Sequence, residues 1–480
     1  MDFRPVFYGI GIFLMILSLS LFIPLFIDFF AGNEGWKSFL IAIIITAFFG
    51  GLCIFSNSGH DMKFGVREAF LLTSGSWVVL CIFGAIPFWF GGLDVSITDA
   101  VFESVSGLTT TGATVFEGLD TLPHGILVWR AILQWLGGVG IIVMAFSVLP
   151  FLKVGGMQLF RTESSQKEKV MPRVAVLASS IGITYIVLTF ACMIGYLISG
   201  LSLFEAFAHA LTTISTGGFS THDASIGFYD NMFTEMNAIL FMIMGSLPFV
   251  FYLRMVQGNF KGLQNDTQIQ WFFSILIGAI LIMALYLMAE NGVGVFQALR
   301  MAAFNICSIM TGTGYSTADF SLWGTFAVHM FFFVMVIGGC AGSTTCGIKI
   351  FRFQVLCTVA YTQIKKLLNP HGVFVMHYNH RPMPDDVPMS VMSFFFLYAL
   401  CFSVLAVLLS MTGLDMLTSM SGAATSISNV GPGLGNEIGP GTTFYSLPDT
   451  AKWILCAGMI LGRLELFTVL VLLAPHFWRR

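Results

Sequence analysis

Four short stretches that join glycine to threonine, serine or asparagine recur along the chain. They are Thr110-Thr111-Gly112, Ser215-Thr216-Gly217, Gly312-Thr313-Gly314 and Asn429-Val430-Gly431. Their last glycines lie 105, 97 and 117 residues apart, which is typical of an internally repeated architecture. Glycine permits backbone angles that turn successive carbonyl groups to one side, and a ring of carbonyl oxygens can replace the hydration shell of a cation. These stretches therefore favour coordination of a cation by the backbone.

The segments that precede the four stretches share a phase. A phenylalanine stands ten residues before the last glycine in the first three copies (Phe102, Phe207 and Phe304), and Ser421 takes this place in the fourth. A single threonine–glycine pair is commonplace in turns and in helix packing. Four copies in phase, each between a short and a long apolar segment, instead favour four re-entrant loops around one axis.

Composition indicates the environment of these loops. The chain has 480 residues, of which 56% are hydrophobic and 10% charged, and its mean hydropathy is +0.86. Soluble domains carry about 25% charged residues, so the sequence predicts an integral membrane protein. The nine cysteines include no CxxC pair, which disfavours a disulfide or metal framework, and no basic stripe suggests nucleic acid.

The apolar runs predict an all-α polytopic membrane protein. About ten transmembrane helices plus four re-entrant pore half-helices form four pseudo-symmetric helix–pore loop–helix repeats after two leading helices. The short segments, near 98–110, 203–214, 294–311 and 415–428, cannot cross a bilayer, which takes about 20 residues. The second helices of the four repeats are predicted near 126–150, 234–257, 323–348 and 450–475.

This prediction divides the chain into six segments. They are a leading two-helix domain (1–68), pore repeat 1 (69–150), pore repeat 2 (151–258), pore repeat 3 with an intramembrane loop (259–352), a cytoplasmic connection (353–388) and pore repeat 4 (389–480). The connection carries four prolines and is either a docking site for a partner or an ordinary linker.

Basic residues predict the orientation. One side of the membrane collects most of them: Arg4, Lys63, Arg67, Lys153, Arg161, Lys167, Lys169, Arg173, Arg254, Lys261, Lys349, Arg352, Lys365, Lys366, Arg381, Arg479 and Arg480. The opposite side has only Lys37, Arg130, Arg300 and Lys452. By the positive-inside rule the first side is cytoplasmic. Both termini are then cytoplasmic, and the glycine stretches lie toward the outer face.

The stretches TTTGAT, STGGFS, TGTGYST and SNVGPG resemble the filter loops of the Trk/Ktr/HKT superfamily of potassium transporters, and most closely those of its TrkH-type bacterial subunits. The runs WLGGVGIIVMAFSVLP (135–150), GGCAGSTTCGIKIFR (338–352) and GRLE (462–465) extend the resemblance over nearly the whole chain. It implies potassium uptake across the bacterial inner membrane through a gated, channel-like pore, with no catalysis and no cofactor besides the transported ion. It further implies a homodimer with one pore per chain and a cytoplasmic nucleotide-binding regulatory ring.

The resemblance also assigns a selectivity filter to the four glycine stretches. Potassium is expected at the two residues before each glycine: Thr110, Thr111, Ser215, Thr216, Gly312, Thr313, Asn429 and Val430. Glycine in all four last positions goes with potassium rather than sodium in this family. The residues that follow diverge (Ala113, Gly218, Tyr315 and Pro432), so we expect a short filter.

A glycine-rich interruption at 338–347 is the predicted gate. Glycine costs about 1 kcal/mol per residue in a helix interior, so this segment is expected to break its helix, and the resemblance implies a loop that obstructs the pore below the filter. The predicted gate residues are Gly338, Gly339, Gly342, Ser343, Thr344, Thr345, Cys346, Gly347, Lys349 and Arg463. Cys346 stands where the family usually has glycine. A small-residue packing seam is the alternative.

Arg463 lies within an apolar run, 12 residues before Pro475. An intramembrane arginine tends to face a cavity or a partner, and the resemblance puts this one near the pore as an electrostatic barrier. A pair with Glu465 is the alternative, although residues two apart on a helix do not face each other. Lys349 either stabilises the gate or anchors the cytoplasmic side.

Other polar residues have weaker assignments. Carboxylates expected in the outer loops, which can concentrate cations, are Glu117, Asp120, Asp223, Asp230, Asp319 and Glu437. Glu103 and Asn305 are expected to hydrogen-bond to loop backbone.

Two other function classes fit the sequence less well. An ion-coupled secondary transporter of potassium is favoured by inverted repeats and midplane carboxylates, but these repeats run in one direction and such carboxylates are scarce. An intramembrane enzyme needs a catalytic constellation inside the spans, and none is evident. The chain has no Walker motif, so any nucleotide dependence has to come from a partner.

Overall fold

The computed structural model describes residues 2–59, 65–147, 170–256, 258, 266–379 and 381–479. Within these ranges the chain is helical apart from loops and one hairpin, in which His377–Tyr378 pairs with Arg381–Pro382. Seven helices of the described residues are long and apolar enough to cross a membrane, or nine if each of two bent pairs is one span. The chain is therefore an all-α polytopic membrane protein. The predicted boundary at 150/151 and the basic residues Lys63, Lys153, Arg161, Lys167, Lys169, Lys261 and Arg480 lie outside the described residues.

The two leading helices pack through small residues. The first is bent into Arg4–Ser20 and Phe22–Phe30, and the second is Trp36–Asn57. A Cβ added at Gly11 would collide with the carbonyl oxygen of Gly50, so both helices need glycine where their backbones approach. The first helix of repeat 1 follows them and is divided into Val66–Gly84 and Ile86–Phe90.

Four short helices lie where the sequence predicts pore half-helices: Ile97–Leu108, Leu203–Ile214, Val295–Met310 and Met416–Ser428. At 1.5 Å per residue each is far shorter than the roughly 30 Å hydrocarbon core. Three have capped N-termini, because Ser96 and Ser202 form capping boxes with Asp99 and Glu205, and Asp415 accepts from Thr418 N. We call these four helices pore helices 1 to 4.

The first helices of repeats 2, 3 and 4 are continuous, and three of the four second helices are not. The first helices are Val170–Ile198, Thr267–Glu290 and Asp386–Ser410. The second helices are His124–Ser147 in repeat 1, Met232–Ser246 with Phe249–Val256 in repeat 2, Thr325–Val334 with Ile350–Leu368 in repeat 3, and Asp449–Arg463 with Leu466–Leu473 in repeat 4. The predicted break at 338–347 is confirmed, since no helix covers that segment.

The prediction of unbroken helices over 234–257 and 450–475 is wrong. The two halves meet at 94° in repeat 2 and at 113° in repeat 4. In repeat 2, Pro248 forces Leu247 into an extended conformation, with ψ 155°. In repeat 4, Glu465 adopts a left-handed φ of 60°, which ends the helix at Arg463. Both bends lie against the segment 338–347, since Ser246 O accepts from Cys340 N and Arg463 donates to Thr344 O.

The predicted connection 353–388 is more ordered than a linker. Ile350–Leu368 is a helix, and the His377–Tyr378 hairpin follows it. The remaining elements are short: Leu119–Thr121, Ser225–Tyr229 and Phe320–Trp323 are single 3-10 turns after the pore loops, and Pro475–Trp478 closes the described chain.

Candidate functional site

Each pore helix ends in the same backbone turn. The residue after the helix C-cap, or the C-cap itself in the fourth helix, is left-handed, with φ of 53°, 50°, 72° and 53° at Thr110, Thr216, Gly312 and Asn429. The amide of the next residue returns to the helix, as Thr111 N to Ser106 O and Thr313 N to Ser308 O, both 2.9 Å. Gly217 N and Val430 N bond in the same way to Thr212 O and Thr425 O. This is a Schellman turn repeated four times.

The second loop is shifted by one residue from the prediction. Two residues past the first left-handed position, glycines with φ of 85°, 78°, 84° and 97° follow at Gly112, Gly218, Gly314 and Gly431. Gly217 is not left-handed and matches Thr111 instead. The phenylalanine spacing caused the error, because Phe102 corresponds to Ala208 and not to Phe207 once the loops are aligned by their turns. By its turn geometry the loop of repeat 2 is therefore Thr216-Gly217-Gly218, and Ser215 is the helix C-cap.

The four loops form a closed ring. A Cβ added at any of these glycines would lie less than 3 Å from a backbone oxygen of the neighbouring loop. The pairs are Gly112 with Gly217 O, Gly218 with Thr313 O, Gly314 with Val430 O, and Gly431 with Thr111 O. Loop 1 thus meets loop 2, loop 2 meets loop 3, loop 3 meets loop 4, and loop 4 returns to loop 1. Only glycine fits at these points, because a side chain would strike the carbonyl and the left-handed φ would be strained.

Polar side chains of the pore helices hold the loops from behind. Glu103 accepts hydrogen bonds from Thr114 Oγ1 and Val115 N at 3.0 Å each. Asn305 donates to Thr317 Oγ1 at 2.9 Å and accepts from Thr317 N at 3.3 Å. The expected bonds of Glu103 and Asn305 to loop backbone are thereby confirmed.

His209 takes the corresponding place in repeat 2, and the sequence analysis missed it. Its Nε2 lies 3.0 Å from Ser220 Oγ, and its Nδ1 lies 2.9 Å from Glu205 O. Glu103, His209, Asn305 and Gly422 each stand nine residues before the left-handed glycine. This shared spacing would have revealed the true register of loop 2.

The second helix of repeat 1 contacts both of the first two loops. Arg130 forms a buried ion pair with Glu103 at 2.6 Å and donates to Ser220 O at 3.0 Å. One turn later, Gln134 donates to Gly217 O at 2.6 Å and accepts from Phe219 N at 3.0 Å. The sequence analysis treated Arg130 only as a topology marker and did not single out Gln134.

A cavity of about 540 Å³ opens on the glycine side of the ring. Its wall includes the four left-handed glycines and, of the predicted carboxylates, Glu117, Asp223 and Glu437. The other three predicted carboxylates have different partners. Asp120 contacts His222, Asp230 pairs with Arg300, and Asp319 accepts from Ser321 N. Three of the six carboxylates are thus placed to attract cations to the ring.

His222 joins the outer loop of repeat 1 to pore helix 2. Its Nδ1 contacts Asp120 and its Nε2 lies 2.9 Å from Glu205 Oε1, while its ring stacks on Phe228. Glu205 belongs to a pore helix and not to a membrane-spanning one. Burial raises its pKa, but hydrogen bonds from His222 and Ser202 outweigh burial and lower the pKa to about 2. Glu205 is therefore ionised and holds His222, which in turn contacts Asp120 of repeat 1.

The segment 338–347 lies against the other side of the ring. Thr344 donates through Oγ1 to Ile214 O and Gly245 O at 3.1 and 2.9 Å. Cys346 Sγ lies 3.9 Å from Thr110 Oγ1. Since these contacts reach the start of the loops, whereas the cavity touches their glycines, the segment and the cavity are on opposite sides of the ring. We call 338–347 the gate loop.

The gate loop is fixed by its own hydrogen bonds and by its neighbours. Gly338 N donates to Ile348 O at 3.0 Å, and Gly339 N donates to Thr345 Oγ1 at 3.1 Å. Ser343 Oγ lies 2.7 Å from Thr345 Oγ1. A Cβ at Gly338 would strike Cys346 O, and both Gly342 and Gly347 have positive φ. Lys349 donates to Thr345 O, so its ammonium group faces the loop.

Arg463 is buried and bridges repeat 4 to the gate loop. It donates to Thr344 O at 3.1 Å and to Cys346 Sγ, and its other terminal nitrogen donates to Gly137 O at 2.8 Å. The alternative pair with Glu465 does not form, because Glu465 bonds to Arg352 at 2.6 Å. The guanidinium group therefore lies beside the gate loop.

Comparison with known proteins decides the family. The family model TrkH, described as a cation transport protein, matches residues 35–480. The chain belongs to the TrkH family. It is 41% identical to the Trk system potassium uptake protein TrkI of Halomonas elongata, covering 99% of this chain and 97% of that protein. It is 35% identical to the Trk system potassium uptake protein TrkH of Escherichia coli K12 over 100% of both chains.

The crystal structure of the potassium transporter TrkH from Vibrio parahaemolyticus has the same fold. It superposes with a TM-score of 0.93 over 100% of both chains, at 35% sequence identity. In this TrkH-family chain, the residues singled out from sequence meet at two places, the ring and the gate loop. Of those missed by sequence reasoning, Arg130 and Gln134 support the ring from the second helix of repeat 1, and His209 supports it from pore helix 2.

Proposed function

We propose that this protein takes up potassium across the bacterial inner membrane through the centre of the ring. The observation that carries the proposal is the closure of the ring, in which each loop places a left-handed glycine against a carbonyl group of the next. Such an arrangement suits a dehydrated monovalent cation, because carbonyl oxygens replace its water. The names of the related proteins, which describe potassium uptake, support the choice of ion.

The filter carbonyls are those of the two residues before each left-handed glycine. With the corrected register they belong to Thr110, Thr111, Thr216, Gly217, Gly312, Thr313, Asn429 and Val430. Thr425 Oγ1 donates to Gly431 O, and Ser308 Oγ donates to Tyr315 O. The carbonyl of the glycine itself in loop 4, and the carbonyl one residue past it in loop 3, are thus turned back toward the pore helix of their own repeat, and we take the filter to be short.

The gate loop and Arg463 control passage below the filter. The loop contacts the start of filter loop 1 through Cys346 and the end of pore helix 2 through Thr344. The charge of Arg463 beside it repels a cation that leaves the filter. Displacing both together opens the path, since Arg463 is bonded to the loop itself.

The excess of basic residues on one side supports an orientation with both termini in the cytoplasm. The filter then faces outward and the gate loop inward. We propose that two copies assemble, each with its own pore, and that a cytoplasmic nucleotide-binding ring docks on the inner face and biases the gate loop. The helix Ile350–Leu368 continues directly from the gate loop and supplies the mechanical link.

Growth rescue tests the proposed function. The gene is expressed in a bacterium that lacks potassium uptake, with and without a co-expressed regulatory subunit, on low-potassium medium. Growth is expected with the wild-type protein and not with Gly218→Ala, the matched control for expression being Gly182→Ala, where a Cβ meets no neighbour. Failure of the expressed wild-type protein to rescue growth under both conditions would contradict potassium uptake.

A further inference from the structure

One of the four ring carbonyls is held by a side chain. Gln134 Nε2 donates to Gly217 O at 2.6 Å, and Gln134 Oε1 accepts from Phe219 N at 3.0 Å. The carboxamide therefore bridges the two peptide groups that flank Gly218, the left-handed glycine of loop 2. In the described part of the chain, no side chain donates to the corresponding carbonyls of Thr111, Thr313 or Val430.

Loop 2 needs this support more than the other loops. It alone has two adjacent glycines in the ring, at 217 and 218, and glycine has the largest conformational freedom of any residue. In loops 1 and 3 a threonine occupies the place of Gly217, and its hydroxyl bonds to the threonine two residues earlier, at 2.7 and 2.8 Å. A glycine has no such side chain with which to fix its own peptide.

Gln134 fills the space that a side chain at position 217 would take. A Cβ added at Gly217 would lie less than 3 Å from three atoms of the Gln134 carboxamide. Gln134 is itself fully buried, so its amide has no competing water, and an unpaired amide there would be costly. The glutamine of repeat 1 thus replaces, from the neighbouring repeat, the internal bond that loop 2 lacks.

A second contact on the same helix face reinforces the first. Arg130 lies one turn before Gln134, on the same side of the helix, and donates to Ser220 O at 3.0 Å. Its charge is balanced by Glu103 at 2.6 Å. The helix His124–Ser147 therefore binds loop 2 at three successive backbone points, Gly217 O, Phe219 N and Ser220 O.

We propose that Gln134 is a positioning residue for ion selectivity, which holds the Gly217 carbonyl in the ring. The proposal rests on the proposed function of the ring as a potassium filter. Four carbonyls of fixed direction define a site whose field suits potassium. Without the amide donor, the peptide after Gly217 is free to rotate, so one quarter of the ring no longer distinguishes potassium from sodium.

The experiment measures the reversal potential under bi-ionic potassium–sodium conditions in proteoliposomes, which reports the permeability ratio independently of how many molecules fold. Gln134→Leu and Gln134→Met both remove the two hydrogen bonds, and Gln134→Met keeps the length of the side chain without adding a charge. Both variants are expected to lower the potassium-to-sodium ratio by about fivefold or more, as the loss of one buried hydrogen bond predicts.

Gln354→Leu is the matched control. Gln354 is a buried glutamine that likewise donates to a backbone carbonyl, Thr267 O at 2.8 Å, but it lies in the helix Ile350–Leu368 and touches no filter loop. Its permeability ratio is expected to equal that of the wild type. A wild-type ratio with Gln134→Met or Gln134→Leu would overturn the role of Gln134. A ratio near unity for the wild-type protein would instead overturn the potassium filter itself.

Discussion

Thr110 and Thr216 hold left-handed backbone angles, with φ of 53° and 50°, that β-branched residues rarely adopt. Each costs about 1–2 kcal/mol relative to an ordinary conformation. The Schellman bonds and the packing against the gate loop maintain them, since Thr216 Oγ1 lies 3.2 Å from Thr344 Oγ1. Strain is therefore stored at the point where the ring meets the gate loop.

Gly218 provides a direct test of the corrected register. Gly218→Ala places a methyl group against Thr313 O at a φ of 78°, so potassium flux per molecule is expected to fall by at least about a hundredfold, given the strain and the blocked carbonyl. The three atoms nearest to a Cβ at Gly217 all belong to the end of the Gln134 side chain, so the loss of flux with Gly217→Ala is expected to be smaller. The measurement is potassium flux in proteoliposomes at equal protein. A larger loss of flux with Gly217→Ala than with Gly218→Ala would contradict this register and would indicate that Gly217 occupies the ring position.

The buried pair of Glu103 and Arg130 provides a second test. Because both side chains are almost fully buried, Glu103→Gln leaves an unbalanced guanidinium group and is expected to destabilise the protein by about 3–5 kcal/mol. Thermal unfolding in detergent measures this. Glu34→Gln is the control, since Glu34 pairs with Lys37 but is 87% exposed, and its unfolding temperature should match the wild type. Equal unfolding temperatures for all three proteins would contradict a structural role for the Glu103 pair.

At the scale of single residues, part of the candidate site can be predicted from the sequence. The recurrence of glycine beside threonine, serine or asparagine locates all four loops, and the capping serines Ser96 and Ser202 stand 16 residues before Gly112 and Gly218, which is enough to find the register. The bond between Gln134 and Gly217 joins residues 83 positions apart. No local pattern encodes such a contact, because it depends on how one repeat packs against the next.

Two interrupted helices lie beside the gate loop. Cys340 N and Thr344 N donate to Ser246 O and Gly245 O, the carbonyls freed where the repeat 2 helix ends. From repeat 4, Arg463 immediately before the bend donates to Thr344 O, and Glu465 within the bend binds Arg352 at 2.6 Å. The gate loop is therefore held between two bends: it satisfies backbone carbonyls freed at the bend in repeat 2, and it accepts a side-chain hydrogen bond from the bend in repeat 4.

Arg463→Ala is expected to increase potassium flux in the absence of a regulatory partner by at least about tenfold, because it removes both a charge near the ion path and the bond to Thr344 O. Arg463→Lys keeps the charge but cannot reach Gly137, Thr344 and Cys346 at once, so its flux should lie between wild type and Arg463→Ala. Single-molecule conductance or tracer flux in proteoliposomes distinguishes these. Unchanged or lower flux with Arg463→Ala would argue against its role in the gate.

The sequence predicts these elements better than their bends. The four pore helices begin and end within a few residues of the apolar segments, and the glycine-rich break is evident from composition. The bend in repeat 2 has a local cause in Pro248. The bend in repeat 4 has no such signal, since Glu465 takes its left-handed angle to meet Arg352, a residue of another repeat.

At the scale of the whole molecule, ion pairs join the repeats around the ring. Lys452 of repeat 4 binds Asp99 of repeat 1 at 2.6 Å, and Arg300 of repeat 3 binds Glu235 of repeat 2 at 2.8 Å. Arg130 of repeat 1 reaches Ser220 O of repeat 2. These contacts tie the first repeat to both the second and the last, so the ring is closed by side chains as well as by loop backbones.

The orientation of the molecule is testable with single cysteines. All nine cysteines lie in the described ranges: Cys357 is exposed, Cys53 and Cys401 are half-buried, and the other six are buried. The background for labelling with a membrane-impermeant maleimide therefore carries serine at 53, 357 and 401. Glu34→Cys, between the two leading helices, is expected to react in intact cells. Val373→Cys, which is 93% exposed beyond the helix Ile350–Leu368, is expected to react only after permeabilisation. The opposite pattern would invert the proposed topology.

The central claim is that the ring of four loops passes potassium and selects it over sodium without a coupled ion. The most direct measurement is potassium flux into proteoliposomes that hold the purified protein, with no sodium or proton gradient, followed by the same measurement with sodium as the competing cation. We predict downhill potassium flux that continues without either gradient and that sodium at equal concentration hardly reduces. Flux that stops without a sodium or proton gradient, or that sodium carries equally well, would contradict the account.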